Sequence, residues 1–457
     1  MSREAQLMAV SAVDGRYAER LGALPEIVSE YGLIKRRVEV MSGWVSVLGS
    51  GVLPDREPLG DNAHSALEEM SRNFTIEDAK EVKNIESTTN HDVKAVEIWL
   101  TRKLGDLAFD EVRDLVHFGC TSEDVNSAAY ALIVRDAHYR VFVPVDLEIY
   151  EAVAQRAYKW ADIPMLAMTH GQPATPTTLG KEMAIFAERY FGVIKAVGEI
   201  KPEAKFSGAS GNYNSAMFAY PEVDWERVSR EFVNDRLGLS FNSMTAQIEP
   251  HDWIARYNNE LALGNTILSD LAKDMWLYIS RGVLKQRPKA GETGSSTMPH
   301  KVNPIDFENA EGNYDTANNV LVGLARSLPI SRMQRDLSDS TRLRTLGTGF
   351  AHTLVGHRSI LKGLSKVEPN KLALARELDE NPAVLTEAVQ TVMRRFRIPN
   401  AYDRMKDASR GQELQIDDYL ELVRSLQDEL PDEVIQRLID LRPKDYIGKA
   451  AELAARA

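Results

Sequence analysis

The sequence contains a single cysteine, Cys120, in 457 residues. One cysteine excludes an intramolecular disulfide framework and a structural zinc site built from several cysteines. The chain also lacks an apolar run near the roughly 18 residues that a membrane-spanning helix requires. Its first segment, MSREAQLMAVSAVDGRY, has too short an apolar core for a secretory signal peptide. From these absences we expect a cytoplasmic protein without membrane partners.

Positive charge is also in deficit. Lys and Arg number 55 against 67 Asp and Glu, which gives a formal net charge of −12. A protein that coats nucleic acid needs a cationic surface to displace counterions, so we expect no nucleic-acid partner. A small anionic ligand remains compatible with this balance, because a local group of Arg and Lys can act within a pocket.

Several common mechanisms lack their motifs. The sequence has no G-x-x-x-x-G-K-[ST] phosphate loop, no G-x-G-x-x-G dinucleotide motif, no H-E-x-x-H zinc motif and no EF-hand loop. Its nine histidines are scattered, without ligand-like pairs four residues apart. The sequence therefore gives no support for a bound metal or a nucleotide cofactor.

Helical periodicity dominates what is present. From Ile254 to Tyr278, apolar or aromatic residues recur at spacings of three and four, which is typical of a long helix that buries one seam. Met183 to Val197 repeats the pattern. A third helical segment runs from about Asp124 to Trp160, where Pro144 should kink or break it. Strand-like alternation is scarce, so we predict an all-α protein built on a bundle of long helices.

We expect three helical domains, because a chain of this length accommodates about three. The predicted N-terminal domain comprises residues 1–112, and the C-terminal domain comprises residues 365–457. The central domain, residues 113–364, holds the long-helix bundle. Because long rods with apolar seams often associate side by side, we also expect an oligomer.

Three segments rich in Gly, Pro, Ser, Thr and Asn are predicted to be loops: Thr169–Thr178, Ser207–Ser215 and Ala290–Pro304. In the third, Asn303 and Pro304 are typical of the cap and first residue of a helix. Lys301 would then precede a helix N-terminus, and both features attract anions.

The third loop also carries a family signature. Its residues 294–304, GSSTMPHKVNP, match the G-S-S-x-M-P-x-K-x-N-P pattern of the fumarase/aspartase superfamily of lyases. Two further superfamily segments occur in the expected order, TSED at 121–124 and THGQPATP at 169–176. Within the superfamily the chain resembles the bacterial adenylosuccinate lyases. The stretches that carry this resemblance are DGRY at 14–17, TTNHDVK at 88–94, QIEPHD at 247–252 and SRMQRD at 331–336.

This resemblance implies a carbon–nitrogen lyase of purine nucleotide biosynthesis. Members of the family eliminate fumarate from adenylosuccinate, giving AMP, and from succinylaminoimidazole carboxamide ribotide, giving AICAR. In such a β-elimination a base removes a proton beside a carboxylate, an acid protonates the departing nitrogen, and cations stabilise the charged intermediate. The resemblance implies no cofactor. It also implies a homotetramer in which several subunits contribute to each active site.

The same resemblance suggests roles for individual residues. Ser295 resembles the general base and His170 the general acid. Lys301 and Asn303 would hold the succinyl carboxylates, and Glu308 would position His91 or His170. The remaining residues assigned to substrate binding are Asn90, His91, Asp92, Thr121, Ser122, Gln247, Ser296 and Asn309.

The phosphate end would need a different set of residues. Arg332, Arg335, Arg342 and Arg344 lie close together in the sequence, and composition alone would favour a solvated helix face. The resemblance instead favours a phosphate site, because guanidinium groups match phosphate oxygens. The residues it implies are Arg335, Ser340, Arg344, Arg16 and Tyr17.

Two alternatives remain open at this stage. A sibling lyase of the argininosuccinate lyase, aspartase or fumarase type would share the signature, although its substrate would lack a phosphate. A structural helical protein that has lost catalysis would share the fold. The presence of Ser295, His170 and Lys301 argues against that second alternative.

Overall fold

The computed structural model describes residues 3–287, 298, 300–411 and 414–456. Most of these residues are helical, and three short strand pairs accompany the helices. The prediction of a mainly helical protein is therefore confirmed. Within the described ranges, no helix is long and apolar enough to cross a membrane.

In chain order the described residues form 21 α-helices, and the three groups that follow are consecutive stretches of sequence and not structural units. The first group is α1 (Arg3–Leu7), α2 (Leu24–Val28), α3 (Glu30–Val47), α4 (Asp61–Arg72), α5 (Ile76–Thr89), α6 (Asp92–Asp106) and α7 (Ser122–Ala137). The second is α8 (Val143–Lys159), α9 (Leu179–Glu199), α10 (Asn214–Ala219), α11 (Trp225–Glu231), α12 (Asp252–Ser280), α13 (Ile305–Ser327), α14 (Ser338–Leu343) and α15 (Leu346–Leu364). The third is α16 (Lys371–Asp379), α17 (Thr386–Arg395), α18 (Ala401–Ser409), α19 (Ile416–Arg424), α20 (Asp432–Asp440) and α21 (Ala450–Ala454).

The strands form three separate pairs. The antiparallel pairs are β1 (Pro164–Thr169) with β2 (Gln172–Thr178) and β5 (Leu284–Gln286) with β6 (Val367–Pro369). The parallel pair is β3 (Glu203–Ala204) with β4 (Ser240–Phe241). The first pair corrects a sequence prediction, because Thr169–Thr178 is the turn and second strand of a hairpin and not a loop. Its prolines and threonines have no clear apolar alternation, so the strand pattern is hidden.

The two apolar seams are confirmed. In α12, Ile254, Leu268, Leu271 and Met275 are each at most 1% exposed. In α9, the predicted seam from Met183 to Val197 is buried throughout. These helices form because their apolar residues recur with the helical period, and burying that face supplies most of their stability.

The third predicted helix is interrupted where Pro144 requires it. α7 ends at Ala137, a wider π-type turn spans His138–Phe142, and α8 begins at Val143. Proline cannot donate the hydrogen bond that would continue a regular helix, and the wider turn accommodates its ring.

The chain divides into two compact units, each built from separate stretches. The first unit comprises Met1–Asp146, Val193–Thr266 and Gly312–Gly356. The second comprises Leu147–Gly192, Ile267–Glu311 and His357–Ala457. The division into domains 1–112, 113–364 and 365–457 stays a prediction.

Each unit has a recognisable core. In the first, Trp44 of α3 packs against Phe206 and Phe232, with ring centroids 4.5 and 5.2 Å away. Trp44 also donates a hydrogen bond to the carbonyl of Phe118. In the second, a buried cluster between Leu385 and Leu438 joins the C-terminal helices. The aromatic cluster matters for the site, because it fixes the helix that carries Arg37.

Candidate active site

A cavity of about 400 Å³ opens in the first unit. This volume lies within the usual range of small-molecule sites. The cavity brings together nine residues that the sequence analysis assigned to substrate binding: Asn90, His91, Asp92, Thr121, Ser122, Gln247, Arg335, Ser340 and Arg344. Glu86, Glu123, Asn126 and Leu337 complete the described lining.

Two helices, α6 and α7, begin at this cavity, so their N-termini lie beside it. His91 caps α6, and its Nδ1 accepts a hydrogen bond from the backbone N–H of Lys94 at 3.2 Å. Thr121 precedes α7 in a capping box with Asp124, whose Oδ2 accepts from the Thr121 N–H at 2.7 Å. Both helices therefore direct their positive dipole ends toward the cavity, which favours an anionic ligand.

The cap also sets the tautomer of His91. Because Nδ1 accepts a hydrogen bond, the proton of the neutral ring lies on Nε2. The side chain is about half exposed, so Nε2 can donate to a ligand. This arrangement suits orientation of a substrate better than removal of a proton.

A fully buried ion pair stabilises the start of α7. Lys205 Nζ lies 2.6 Å from Asp124 Oδ1, and both side chains are completely buried. Asp124 also accepts hydrogen bonds from the backbone N–H groups of Ser207 and Gly208. A buried pair is tolerated when further hydrogen bonds satisfy its atoms, as they do here. It joins the Ser207–Ser215 loop to the helix that carries Thr121 and Ser122.

Arg335 is held between two carboxylates. Its Nη1 donates to Asp339 Oδ2 at 2.7 Å, and its Nη2 donates to Glu123 Oε1 at 3.0 Å. Asp339 Oδ2 also lies 3.3 Å from His251 Nε2. Two residues before His251, burial raises the pKa of the Glu249 carboxyl. The guanidinium of Arg335 is thus oriented before any ligand arrives.

Arg344 is held by a different pair of side chains, Asp92 and Ser340. Its Nη2 donates to Asp92 Oδ2 at 2.7 Å, and its Nη1 donates to Ser340 Oγ, also at 2.7 Å. Burial alone would raise the pKa of Asp92, but the charges and hydrogen bonds of Arg37 and Arg344 outweigh it and lower that pKa to about 2. Asp92 is therefore ionised throughout the physiological range.

The other predicted residues lie elsewhere. Arg16 and Tyr17 belong to the first unit but are not among the described residues that line the cavity. The second unit holds His170, Lys301, Asn303, Glu308 and Asn309. The proposed base Ser295 and its neighbour Ser296 lie outside the described residues. The roles assigned to all the residues of this paragraph stay predictions.

His170 lies at the tip of the β1–β2 hairpin. Its φ is 54° and that of Gly171 is 72°, so the two residues form a tight turn in the left-handed region. The side chain is exposed. A residue other than glycine is uncommon in this conformation, and such departures cluster at functional sites.

Two residues near the signature loop have clear partners in the second unit. Glu308 Oε1 accepts a hydrogen bond from Trp276 Nε1 at 3.1 Å. Asn309 Oδ1 accepts one from Ser359 Oγ at 2.6 Å. The predicted helix forms but begins one residue later than expected, because α13 starts at Ile305. The carbonyl of the preceding Pro304 accepts hydrogen bonds from the N–H groups of Phe307 and Glu308.

Sequence reasoning missed several residues around the cavity. Arg37, Glu123, Asn126 and Asp339 all bond to residues of the site. Asp339 follows Arg335 by four residues, a spacing that could have suggested the pair. Arg37 gave no comparable signal, because its partners lie far from it in the sequence. Among the described residues, no group of three or more His, Cys, Asp or Glu is arranged to hold a metal ion.

The fold is shared with solved structures of other enzymes. A 3-carboxy-cis,cis-muconate lactonizing enzyme from Pseudomonas putida superposes with a TM-score of 0.76 at 22% identity, covering 95% of each chain. A fumarate lyase from Mesorhizobium sp. BNC1 gives a TM-score of 0.76 at 20% identity over 95% of this chain and 96% of its own. Similarity at this level establishes the fold alone.

Sequence comparison is more specific. A lyase family model matches residues 15–317, and an adenylosuccinate lyase C-terminal model matches residues 331–447. The adenylosuccinate lyase of Vibrio cholerae is 46% identical over 98% of both chains. That of Escherichia coli K12 is 46% identical over 97% of both, and that of Legionella pneumophila is 44% identical over 98% of both. The chain therefore belongs to the adenylosuccinate lyase family.

Proposed function

We propose that this protein is a carbon–nitrogen lyase that eliminates fumarate from adenylosuccinate, giving AMP, and from succinylaminoimidazole carboxamide ribotide, giving AICAR. The observation that carries the proposal is the cavity of the first unit. There, Arg335, Arg344 and Ser340 meet the N-termini of α6 and α7. This concentration of hydrogen-bond donors suits a phosphorylated, multiply anionic substrate in a protein whose net charge is −12.

The phosphate is assigned to the arginine side of the cavity. Arg335 and Arg344 present guanidinium groups, and Ser340 adds a hydroxyl. Arg16 and Tyr17 are proposed to complete this end. A sibling lyase acting on argininosuccinate, aspartate or malate would have no phosphate to place there, which makes this subsite the feature that separates the two functions.

Catalysis is assigned to residues of the signature segments. Ser295 takes the proton from the carbon beside the succinyl carboxylate. The carbon–nitrogen bond then breaks, its electron pair passes to the nitrogen, and His170 supplies the proton that this nitrogen gains. Lys301 and Asn303, with Thr121 and Ser122, stabilise the negative charge that accumulates on the carboxylate. The proposed step needs no cofactor.

Further substrate contacts are proposed for the remaining assigned residues. Asn90, His91, Asp92, Gln247, Ser296 and Asn309 would bind substrate, and Glu308 would position a histidine. Support for His91 comes from its cap geometry, which leaves Nε2 as the donor. Gln247 donates to the carbonyl of Ala209 at 3.0 Å, so the Ser207–Ser215 loop fixes its amide beside the cavity.

We propose that the protein acts in the cytoplasm as a homotetramer of three-domain subunits, with active sites shared between subunits. Two observations support assembly. The hairpin tip with His170 is exposed on the single chain. Large apolar side chains of α12 are also exposed, with Leu263 at 48%, Trp276 at 41% and Leu277 at 50%. Large exposed apolar side chains of this kind are available for burial in a subunit interface.

The experiment is an assay of fumarate release by the purified full-length protein. We expect turnover of adenylosuccinate but not of argininosuccinate, aspartate or malate. Arg344→Met and Arg335→Met should raise KM for adenylosuccinate sharply. If the folded wild-type protein releases fumarate from an unphosphorylated substrate and these variants retain that activity, the sibling function replaces the proposed one.

A further inference from the structure

One buried arginine lies behind the cavity and is not among the described residues that line it. Arg37, in the middle of α3, is 1% exposed. Its Nη2 donates to Asp92 Oδ2 at 2.7 Å, and its Nε donates to Asn126 Oδ1 at 2.9 Å. Both partners line the cavity. Arg37 thus bonds to the wall of the site from inside the protein.

Each partner continues the network to one of the two cavity arginines. Asp92 Oδ2, which accepts from Arg37, also accepts from Arg344 Nη2 at 2.7 Å. Asn126 Nδ2 donates to Glu123 Oε1 at 2.8 Å, and that same oxygen accepts from Arg335 Nη2 at 3.0 Å. One residue is therefore joined to both guanidinium groups of the proposed phosphate subsite.

The energetics set Arg37 apart from an ordinary structural residue. Its Nη1 is buried and meets no hydrogen-bond partner among the described residues. A buried and incompletely bonded guanidinium costs stability, so packing alone does not account for it. Asp92 shares a single carboxylate oxygen between Arg37 and Arg344, and Glu30 lies 4.0 Å from Arg344 Nε, so carboxylates on two sides fix the direction of the Arg344 guanidinium.

We propose that Arg37 is a positioning residue that holds Arg335 and Arg344 in the orientation in which they receive the substrate phosphate. It acts through Asp92 on one side and through Asn126 and Glu123 on the other. α3 is itself fixed, because Trp44 packs in the aromatic cluster two turns after Arg37. This inference rests on the proposed function, since it takes the phosphate subsite as its starting point.

The test compares Arg37→Lys with Arg36→Lys in the full-length protein. Both changes keep a positive charge, but lysine cannot bond to Asp92 and Asn126 in the fixed directions of a guanidinium. Arg36 is the matched control, because it precedes Arg37 on the same helix and pairs with Glu39 and Asp136. Neither partner is among the described residues that line the cavity.

For Arg37→Lys we expect KM for adenylosuccinate and the inhibition constant of AMP to rise about tenfold, while kcat changes less than about threefold. The inhibition constant of fumarate should not move, because fumarate carries no phosphate. Arg36→Lys should leave all three constants within about twofold of wild type. An unchanged AMP constant in Arg37→Lys, or an equal rise for fumarate, would overturn the proposal.

A second variant covers the case in which Arg37→Lys fails to fold. Asn126→Ala breaks only the branch to Arg335, and it should raise the AMP constant by a smaller factor while leaving that of fumarate unchanged. An unchanged AMP constant would overturn the proposal. Failure of the proposed function is distinguishable, because it would appear as absent fumarate release by wild type, whereas calorimetric AMP binding reports on Arg37 without turnover.

Discussion

Arg344 donates a hydrogen bond to Asp92 across 252 positions of sequence, with Nη2 and Oδ2 2.7 Å apart. The pair joins the short helix α14 to the N-terminus of α6. It places a carboxylate beside a guanidinium that we assign to the substrate phosphate. The arginine is thereby oriented in advance, which reduces the entropy that a ligand must overcome when it binds.

Asp92 should contribute stability that depends on pH. The folded protein lowers the pKa of Asp92 from 3.8 to about 2, so folding favours the ionised form. That contribution is complete well above pH 4 and is lost as the pH falls toward 2. Asp92→Asn should therefore destabilise the protein by about 1–2 kcal/mol at pH 7.

The measurement is urea unfolding of wild type and Asp92→Asn at pH 7, 4 and 3. The difference between the two proteins should persist at pH 4 and fall to roughly half at pH 3. A difference that stays constant over this range would mean that the charge of Asp92 is not its source.

Asp274 should lower the stability of the folded protein at neutral pH, which is the opposite of the effect of Asp92. Burial, with repulsion from Asp270 and Glu182, raises the pKa of Asp274 to about 6. The folded protein thus holds this proton more tightly than the unfolded chain, and stability is lost as the pH rises from about 4 through 6. Asp274→Asn should remove that cost and stabilise the protein by about 1–2 kcal/mol at pH 7.5.

Thermal unfolding at two pH values tests this. Asp274→Asn should melt higher than wild type at pH 7.5, and its gain at pH 5 should be roughly half as large. Asp270→Asn is the matched control, because Asp270 pairs with Arg189 at 2.8 Å and its loss should give a smaller gain. An equal gain at both pH values would contradict the account.

Gly180 should be intolerant of any side chain. A Cβ at this position would lie 2.4 Å from the carbonyl oxygen of Ala157 and 2.5 Å from the nitrogen of Ala161. Both are backbone atoms, Ala157 in the last turn of α8 and Ala161 just beyond it, so neither can move aside cheaply. Gly180→Ala should cost about 2–3 kcal/mol or more.

Gly198 is the control, because it lies near the end of α9, the helix that also contains Gly180. A Cβ there meets no atom within 4 Å among the described residues, and alanine favours helix. Gly198→Ala should therefore be neutral or stabilising by up to about 1 kcal/mol. Chemical denaturation of the two variants measures the contrast, and equal effects would refute the close approach of α8 and α9.

His170 can be tested without disturbing its hairpin. The turn has positive φ at both residues, and Asn followed by Gly is the pair that such turns favour. His170→Asn should therefore leave the melting temperature nearly unchanged while lowering kcat by about 10²–10⁴, the usual contribution of a general acid. Substantial turnover by a folded His170→Asn protein would remove His170 from the mechanism.

Some of this molecule could be predicted from the sequence, and the reasons are local. The seams of α9 and α12 follow from periodicity, and the start of α13 follows to within one residue from Asn303 and Pro304. The hairpin at His170 was missed because its strands lack apolar alternation. The network around Arg37 was missed because its pairings, such as Glu123 with Arg335 across 212 positions, depend on tertiary packing that no local pattern encodes.

The most direct test of the central claim is the product analysis of one reaction. Purified full-length protein is mixed with adenylosuccinate, and AMP and fumarate are quantified over time. The account predicts that both appear in equal amounts, that Ser295→Ala and His170→Asn proteins of wild-type assembly form them at least about 10²-fold more slowly, and that Arg344→Met forms them only at raised substrate concentration. A folded, assembled wild-type protein that leaves adenylosuccinate intact would contradict it.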